Sequence, residues 1–291
     1  MLEAMILAVL VVGGASMSSF DFDVPQPEED IPDTEPTDNS DRLQLGGEDD
    51  SIDAGRGNDQ VAAGAGDDTV AGGLGKDVLL GEAGHDQLAG GEFHDILLGG
   101  EGDDLLEGEG GKDILLGGSG DDTVLGGDWD DVISGDAGSD LLEGGRGNDN
   151  IFGVNVLPEP DVDTLRLLRE DEETAENIFT LTADEEADTL IGGDGHDYLA
   201  LGAGDSGNGG TGRDVFELHL EGGSPDVIAI EDYEAGTDSI RIAGADTGGF
   251  IVEQEDGSGD ALIFDDGTLV ARLTGAGGSF GLEQLEFTSG A

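Results

Sequence analysis

One aliphatic position recurs along the first half of the chain at a fixed interval of nine residues. It holds Ile52, Val61, Val70, Leu79, Leu88, Leu97, Leu106, Leu115, Val124, Ile133, Leu142 and Ile151. Neither the period of an amphipathic helix nor the alternation of a long strand gives that spacing. Laid out in nines, residues 45–152 form twelve consecutive units of the form G-G-x-G-x-D-x-U-x, with U apolar. Such short-period repetition marks a solenoid: one unit cannot bury an apolar face alone, but stacked units can. Glycines at the first, second and fourth places permit turns with positive φ. The last three residues predict a strand of about 10 Å, with the eighth side chain inward and its neighbours outward. Two facing strands close a roll, so a full turn takes two units, and units two apart stack about 4.8 Å from each other.

The sixth position is Asp in every unit: Asp50, Asp59, Asp68, Asp77, Asp86, Asp95, Asp104, Asp113, Asp122, Asp131, Asp140 and Asp149. Stacking places these carboxylates in two columns, one on each side of the roll. Like charges about 5 Å apart repel by roughly 3 kcal/mol at an effective dielectric of about 20. Several such pairs exceed the whole stability of a typical domain, about 5–15 kcal/mol. A cation between successive rungs is therefore required. Oxygen donors alone, in turns rich in free carbonyls, suit Ca²⁺ rather than Zn²⁺. Mg²⁺ is the weaker candidate because it dehydrates reluctantly and demands near-octahedral geometry. Twelve units in two columns give about five inter-rung sites per column, about ten in the main roll. Glu48, Phe93 and Trp129 replace the fourth-position glycine, which is expected to distort those turns and weaken their sites.

Composition points the same way. The chain has 291 residues, 55 of them Gly, and carries 69 acids against 10 bases for a net charge of −59. Such a charge with few aromatics would ordinarily be read as disorder. It makes divalent cations natural partners, and nucleic acid and anionic membranes poor ones. There is no Cys, so disulfides and thiolate metal sites are excluded.

The nonapeptide resembles that of the RTX, or hemolysin-type calcium-binding repeat, proteins. The resemblance covers 45–152 and returns over 183–217. It implies an all-β fold: a right-handed parallel β-roll solenoid, with Ca²⁺ held between turns by the Asp carboxylates and turn carbonyls. It also implies a bacterial exoprotein, extracellular or at the cell surface, that leaves unfolded through type I secretion machinery and folds on meeting calcium outside. The charge argument supports that switch independently, because metal binding would then be folding free energy.

The second block is irregular. ADEEADTLI (183–191) keeps Asp188 and Leu190 without a glycine; GGDGHDYLA (192–200) matches fully, with Asp197. LGAGDSGN (201–208) has lost a residue and puts Ser206 where Asp belongs, while GGTGRDVFE (209–217) recovers with Asp214 and Phe216. Two sound rungs are expected here, not four. Residues 153–182 break the period, with a short amphipathic helix expected near 163–178. Residues 218–291 read as alternating strands, a β-rich C-terminal cap, with a hairpin turning in ALIFDDGTLVARL. An acidic segment within them, DVIAIEDYEAGTDSIRI, resembles the one that follows RTX repeats in secreted proteases, and the family carries an uncleaved secretion signal at its extreme C-terminus. Upstream, 21–44 read as an acidic, Pro-rich linker. The apolar segment 1–20 lacks a basic flank and leaves a signal, an anchor or neither as readings.

The outward residues of even-numbered units are apolar: Val78, Leu80, Ile96, Leu98, Ile114, Leu116 and Val132. Those of odd units are mostly polar. One outer face is thus expected to meet a covering segment of the chain, a second copy or a partner.

Chemistry-bearing motifs are missing. His85, His94, His196 and His219 form no H-E-x-x-H pattern, three of them occupying the variable fifth position; neither G-x-S-x-G nor a phosphate loop is present. The expectation is a non-catalytic, secreted calcium-binding protein. The alternatives are a calcium-dependent surface or matrix assembly protein, or an accessory module of a truncated exoenzyme.

Overall fold

A computed structural model describes residues 36–157, 180–182, 186–220, 226–243, 249–255, 259–276 and 280–288. The helix expected near 163–178, the segment 1–20 and the extreme C-terminus lie outside the described residues. Among those described, the chain forms a parallel β-solenoid of two facing sheets, with eleven and twelve strands. One sheet starts at Arg42–Gln44 and takes Gln60–Ala65, Val78–Ala83, Ile96–Glu101, Ile114–Ser119 and Val132–Ala137. The other starts at Ser51–Asp53 and takes Thr69–Leu74, Gln87–Glu92, Leu105–Gly110, Thr123–Asp128 and Leu141–Gly147.

Partners stand 18 residues apart, two units per turn: Val61 pairs with Leu79, Leu79 with Leu97 and Leu97 with Leu115. The eighth-position side chains from Val61 to Ile151 are essentially buried and form the core between the sheets. Strands run to six residues, not three. Pairing skips the first residue of the next unit and resumes at its second and third, as Gly64 with Glu82 and Ala65 with Ala83. The roll also begins earlier than the glycine pattern: Arg42–Gln44 pairs with Gln60–Ala62, so the stretch taken for linker contributes a rung.

The irregular segment is spliced in without loss of register. Leu142 pairs with Leu190 and Ile151 with Leu199, a step of 48 residues in place of 18. The ends of the intervening segment, Asn155–Leu157 and Thr180–Thr182, pair antiparallel as they leave and rejoin the roll. In the next turn Leu190 pairs with Gly207, and Leu199 with Phe216, a step of 17. Gly207 thus holds an inward position without a side chain. A Cβ there would stand 3.0 Å from Cδ1 of Leu201, which occupies the space.

Both sheets continue beyond the repeats through Val215–Leu218, Ser239–Ala243 and Leu285–Thr288 on one side and Ile228–Ile230 and Thr268–Leu273 on the other. The second sheet then ends in antiparallel strands, Ala261–Asp265 and Phe250–Gln254. The expected hairpin is present. Its turn uses Asp266 at φ 44° and Gly267 at φ 83°, the left-handed pair a tight two-residue hairpin needs. Tyr233 meets Phe280 edge-on, with ring centroids 5.1 Å apart, and Phe250 lies 5.5 Å from Phe287. These rings close the core at the C-terminal end, where a solenoid would otherwise expose an open edge.

The outer apolar face is a second cluster. Val78, Ile96, Ile114 and Leu116 are buried, with Leu80, Leu98 and Val132 packed against them. Farther along, Phe152, Val154, Tyr198 and Ala200 pack with Leu181, so the ends of the inserted segment cover that part of the face.

Candidate metal centres

Each sixth-position Asp leads from the turn into the strand, and its side chain points into the roll. From Asp59 to Asp149, and at Asp188, Asp197 and Asp214, exposure is 3% or less; Asp50, near the open end, is half-buried. One carboxylate oxygen is committed to the fold. Oδ1 of Asp77 accepts the backbone N–H of Asp59 at 2.7 Å, Oδ1 of Asp95 that of Asp77, and so on through Asp113, Asp131 and Asp149 to Asp197 and Asp214. The second column links Asp50, Asp68, Asp86, Asp104, Asp122, Asp140 and Asp188 in the same way.

Among the described residues, Oδ2 of Asp59, Asp68, Asp77, Asp86, Asp104, Asp122, Asp131, Asp140, Asp149 and Asp197 is buried without a hydrogen-bond partner. Burying such an atom costs free energy unless something compensates, and a native fold tolerates few of them. The space it faces is defined by the first-position glycine. A Cβ on Gly72 would lie 2.6 Å from Oδ2 of Asp77 and 2.7 Å from the carbonyl oxygen of Gly90, one turn on. Gly126 and Gly144 show the same pairing, with Asp131 and Gly144 and with Asp149 and Gly192. Most rungs from Gly72 to Gly192 therefore offer a carboxylate oxygen and a carbonyl oxygen to one small volume beside a first-position glycine, whereas the units of Asp59 and Asp68 carry Ala54 and Ala63 there. The donor chemistry fits a hard cation such as Ca²⁺. Among the described residues, no three His, Cys, Asp or Glu side chains group as a metal cluster, and the oxygens next to Oδ2 in those rungs are backbone carbonyls such as that of Gly90.

Electrostatics give the same result. Burial, the largest influence, raises the Asp carboxyls; the N–H bond from the preceding rung offsets part of it, and neighbouring carboxylates push further upward. Asp77, Asp104, Asp140, Asp197 and Asp214 are raised to about 6 and Asp149 to about 7. In the middle of the roll Asp122 reaches about 8 and Asp131 about 10. Without a cation, Asp122 and Asp131 hold protons at neutral pH, while the rungs near 6 are largely ionised and repel one another.

Both columns extend past the residues the repeat pattern picks out. Asp205, not Ser206, stands on the second column: its Oδ1 accepts the Asp188 N–H at 2.9 Å and its Oδ2 the Gly202 N–H at 2.6 Å. The missing residue precedes the Asp, which shifts Ser206 into the strand. All four rungs of this block, Asp188, Asp197, Asp205 and Asp214, are in register. Asp41 and Asp238 continue the first column at its two ends. Counting the deletion on either side of GAGD would have revealed Asp205; Asp41 sits among residues without a glycine and gives no such signal.

The variable fifth position carries a second ladder. Side chains of Asp49, Asn58, Asp67, Asp103, Asp121, Asp130 and Asn148 each accept the N–H of the fifth residue one turn later. Nδ1 of His94 and of His196 do the same for Lys112 at 2.7 Å and Arg213 at 2.9 Å. Several residue types at this position provide the acceptor, while Lys76, Lys112 and Arg213, which cannot accept, show that the ladder is not obligatory. The turn histidines are thus backbone caps. His219 is nearly buried beside Glu217, 3.4 Å away, and holds that carboxyl below its ordinary range.

At the fourth position Phe93 and Trp129 keep positive φ, 85° and 92°. Their N–H groups still donate to Gly110 and Arg146, so the turns retain the ladder.

The family model of the RTX calcium-binding nonapeptide repeat (4 copies) matches residues 37–70, 55–88, 63–97, 89–124, 125–154 and 180–207. Together these windows span 37–154 and 180–207, half of the chain. A search of curated proteins found no significant match.

Proposed function

We propose that this chain, which belongs to the RTX calcium-binding nonapeptide repeat family, is a secreted, non-catalytic Ca²⁺-binding protein whose roll folds when the cation arrives. The observation that carries the reading is the row of buried Oδ2 atoms without partners among the described residues, most of them, as at Asp77, Asp104, Asp122, Asp131, Asp149 and Asp197, beside a carbonyl oxygen at a first-position glycine. The residues that would hold Ca²⁺ are Asp50, Asp59, Asp68, Asp77, Asp86, Asp95, Asp104, Asp113, Asp122, Asp131, Asp140, Asp149, Asp188, Asp197 and Asp214, joined by Asp205. Bound there, the cation supplies the positive charge that two columns of ionised carboxylates need. Cytoplasmic calcium is too scarce to fill sites of the extracellular class, with Kd about 10⁻⁴–10⁻³ M. The chain would remain extended for export by type I machinery and fold outside.

Far-UV circular dichroism tests this. Titration with Ca²⁺ should give a cooperative gain of β signal that Mg²⁺ does not reproduce and EGTA reverses. A roll fully formed in EGTA at neutral pH would refute it.

A further inference from the structure

Phe93 and Trp129 are the most exposed large apolar side chains on the roll, at 54% and 63%. Each holds a turn position at φ 85° or 92°, which L-residues adopt only at an energetic cost. Among the described residues neither belongs to a hydrophobic cluster, and both stand more than half exposed, so packing does not compensate that cost. Strain kept without a packing return points to function.

The two sit at the same place in the turn, two rungs apart, which sets them about 9.6 Å from each other. Between them runs Gly110–Gly111. The third position carries Glu92 one rung back and Asp128 one rung on, but glycine here, so the floor between the rings is bare backbone. Polar rows flank it. On one side Lys112 Nζ meets Asp130 Oδ2 at 2.8 Å, next to His94; on the other Arg146 meets Asp128 at 2.9 Å.

We propose that this edge is a binding platform for a neutral, extended β-1,4-linked polysaccharide. The apolar C–H face of a pyranose ring stacks on an aromatic ring, while its equatorial hydroxyls bond to polar groups alongside. In an extended β-1,4 chain alternate sugars share one orientation, so rings two apart meet Phe93 and Trp129 and the sugar between crosses the glycine floor. A protein partner would want continuous apolar area, which the floor does not provide. Polyanions, whether nucleic acid or acidic glycan, are repelled by a chain of net charge −59.

Trp129 is the only Trp in the chain, so its emission reports on this site alone. The full chain, in Ca²⁺ and with its β signal verified by circular dichroism, is titrated with cellohexaose, chitohexaose and polygalacturonate. The platform depends on a folded roll and not on which cation folds it, so the dichroism and the emission report the two readings separately. Either neutral oligosaccharide should shift the Trp129 emission saturably to the blue. Phe93→Gly, which restores the consensus turn and leaves the reporter in place, should keep the dichroism and weaken binding about tenfold or more. Trp129→Gly should fail to sediment with insoluble cellulose or chitin under conditions where the unaltered chain does. An unchanged emission with both neutral sugars, unaltered affinity in Phe93→Gly, or equal binding of polygalacturonate would overturn the proposal.

Discussion

Asp131→Asn separates a metal ligand from a merely structural carboxylate. Asp131 is fully buried at mid-column, its Oδ1 accepting the Asp113 N–H at 2.8 Å and its Oδ2 facing the volume beside Gly126. Without metal its carboxyl is pushed up to about 10, first by burial and then by Asp113 and Asp149, so at neutral pH it is protonated. An Asn amide is nearly isosteric with that acid and can accept the same N–H. At pH 5, where protonation supports a metal-free roll, that roll should therefore tolerate the change to within about 1 kcal/mol.

With calcium the balance reverses. Asp131 borders two inter-rung gaps, one toward Asp113 and one toward Asp149. At about 100 times Kd, each occupied site adds about 2.7 kcal/mol of stability, so losing both removes up to about 5 kcal/mol. Urea unfolding at saturating Ca²⁺, followed by circular dichroism, should show a clear fall in midpoint, and the calcium needed for half-folding should rise. Asp128→Asn, at an exposed carboxylate paired with Arg146, is the control and should move stability by less than about 1 kcal/mol. If Asp131→Asn costs as much in EGTA at pH 5 as it does in Ca²⁺ at neutral pH, or nothing in either, the carboxylate is not holding a cation and the charge argument fails.

The raised carboxyls also fix the pH response. The folded roll binds protons that the unfolded chain releases near 3.8, so protonation stabilises the metal-free roll at low pH, and that contribution is lost as pH rises through about 6 to 8. Metal-free β signal should grow on titration from pH 8 to pH 5, while the Ca²⁺ midpoint rises as protons compete; greater metal-free folding at pH 8 than at pH 5 would contradict the assignment. Asp205→Asn should raise the Ca²⁺ midpoint as Asp188→Asn does, whereas Ser206→Ala should leave it nearly unchanged, and the reverse order would restore the sequence reading. Gly72→Ala puts a methyl into the space shared by Asp77 and Gly90 and should weaken calcium binding there, measured by calorimetric stoichiometry; Gly46→Ala, which meets nothing within 4 Å, should not.

Two positions of the nonapeptide made the roll legible. Leu79 and Asp77 sit in their units as Leu97 and Asp95 do in theirs, and an inward aliphatic with a recurrent acid admits few other stacks. Other features lay beyond pattern because the physics at those sites accepts several residue types. At the fifth position any hydrogen-bond acceptor can make the bond to the next turn, so Asp67, Asn58 and His94 look unrelated in sequence while serving the same bond. Asp205 was hidden by a single missing residue, since the glycines around it permit two alignments and only the backbone pairing decides between them. Arg42–Gln44 read as linker because Pro and acids dominate the stretch before it, yet the exposed edge of the next strand recruits it. The turns of Phe93 and Trp129 were expected to be distorted; backbone pairing held them, and the strain went into φ.

The ladder through the carboxylates also explains how the roll survives its irregularities. Each Asp N–H donates to the Asp of the following turn, across 18 residues in the main block, 48 at the insertion and 17 beyond it. The interval in sequence varies, but the contact does not. A segment can leave the roll after Phe152 and return before Thr189 at little cost, because the Asp140–Asp188 and Asp149–Asp197 rungs re-form the same gap on both sides. The same bond makes neighbouring sites interdependent. Any cation that fixes one carboxylate also fixes the strand whose N–H it accepts, and so positions the next carboxylate for its own gap. In a one-dimensional stack this nearest-neighbour coupling is the ordinary source of cooperativity. It passes through all the rungs between Asp41 and Asp238, and the antiparallel strands beyond give it a fixed end from which to propagate.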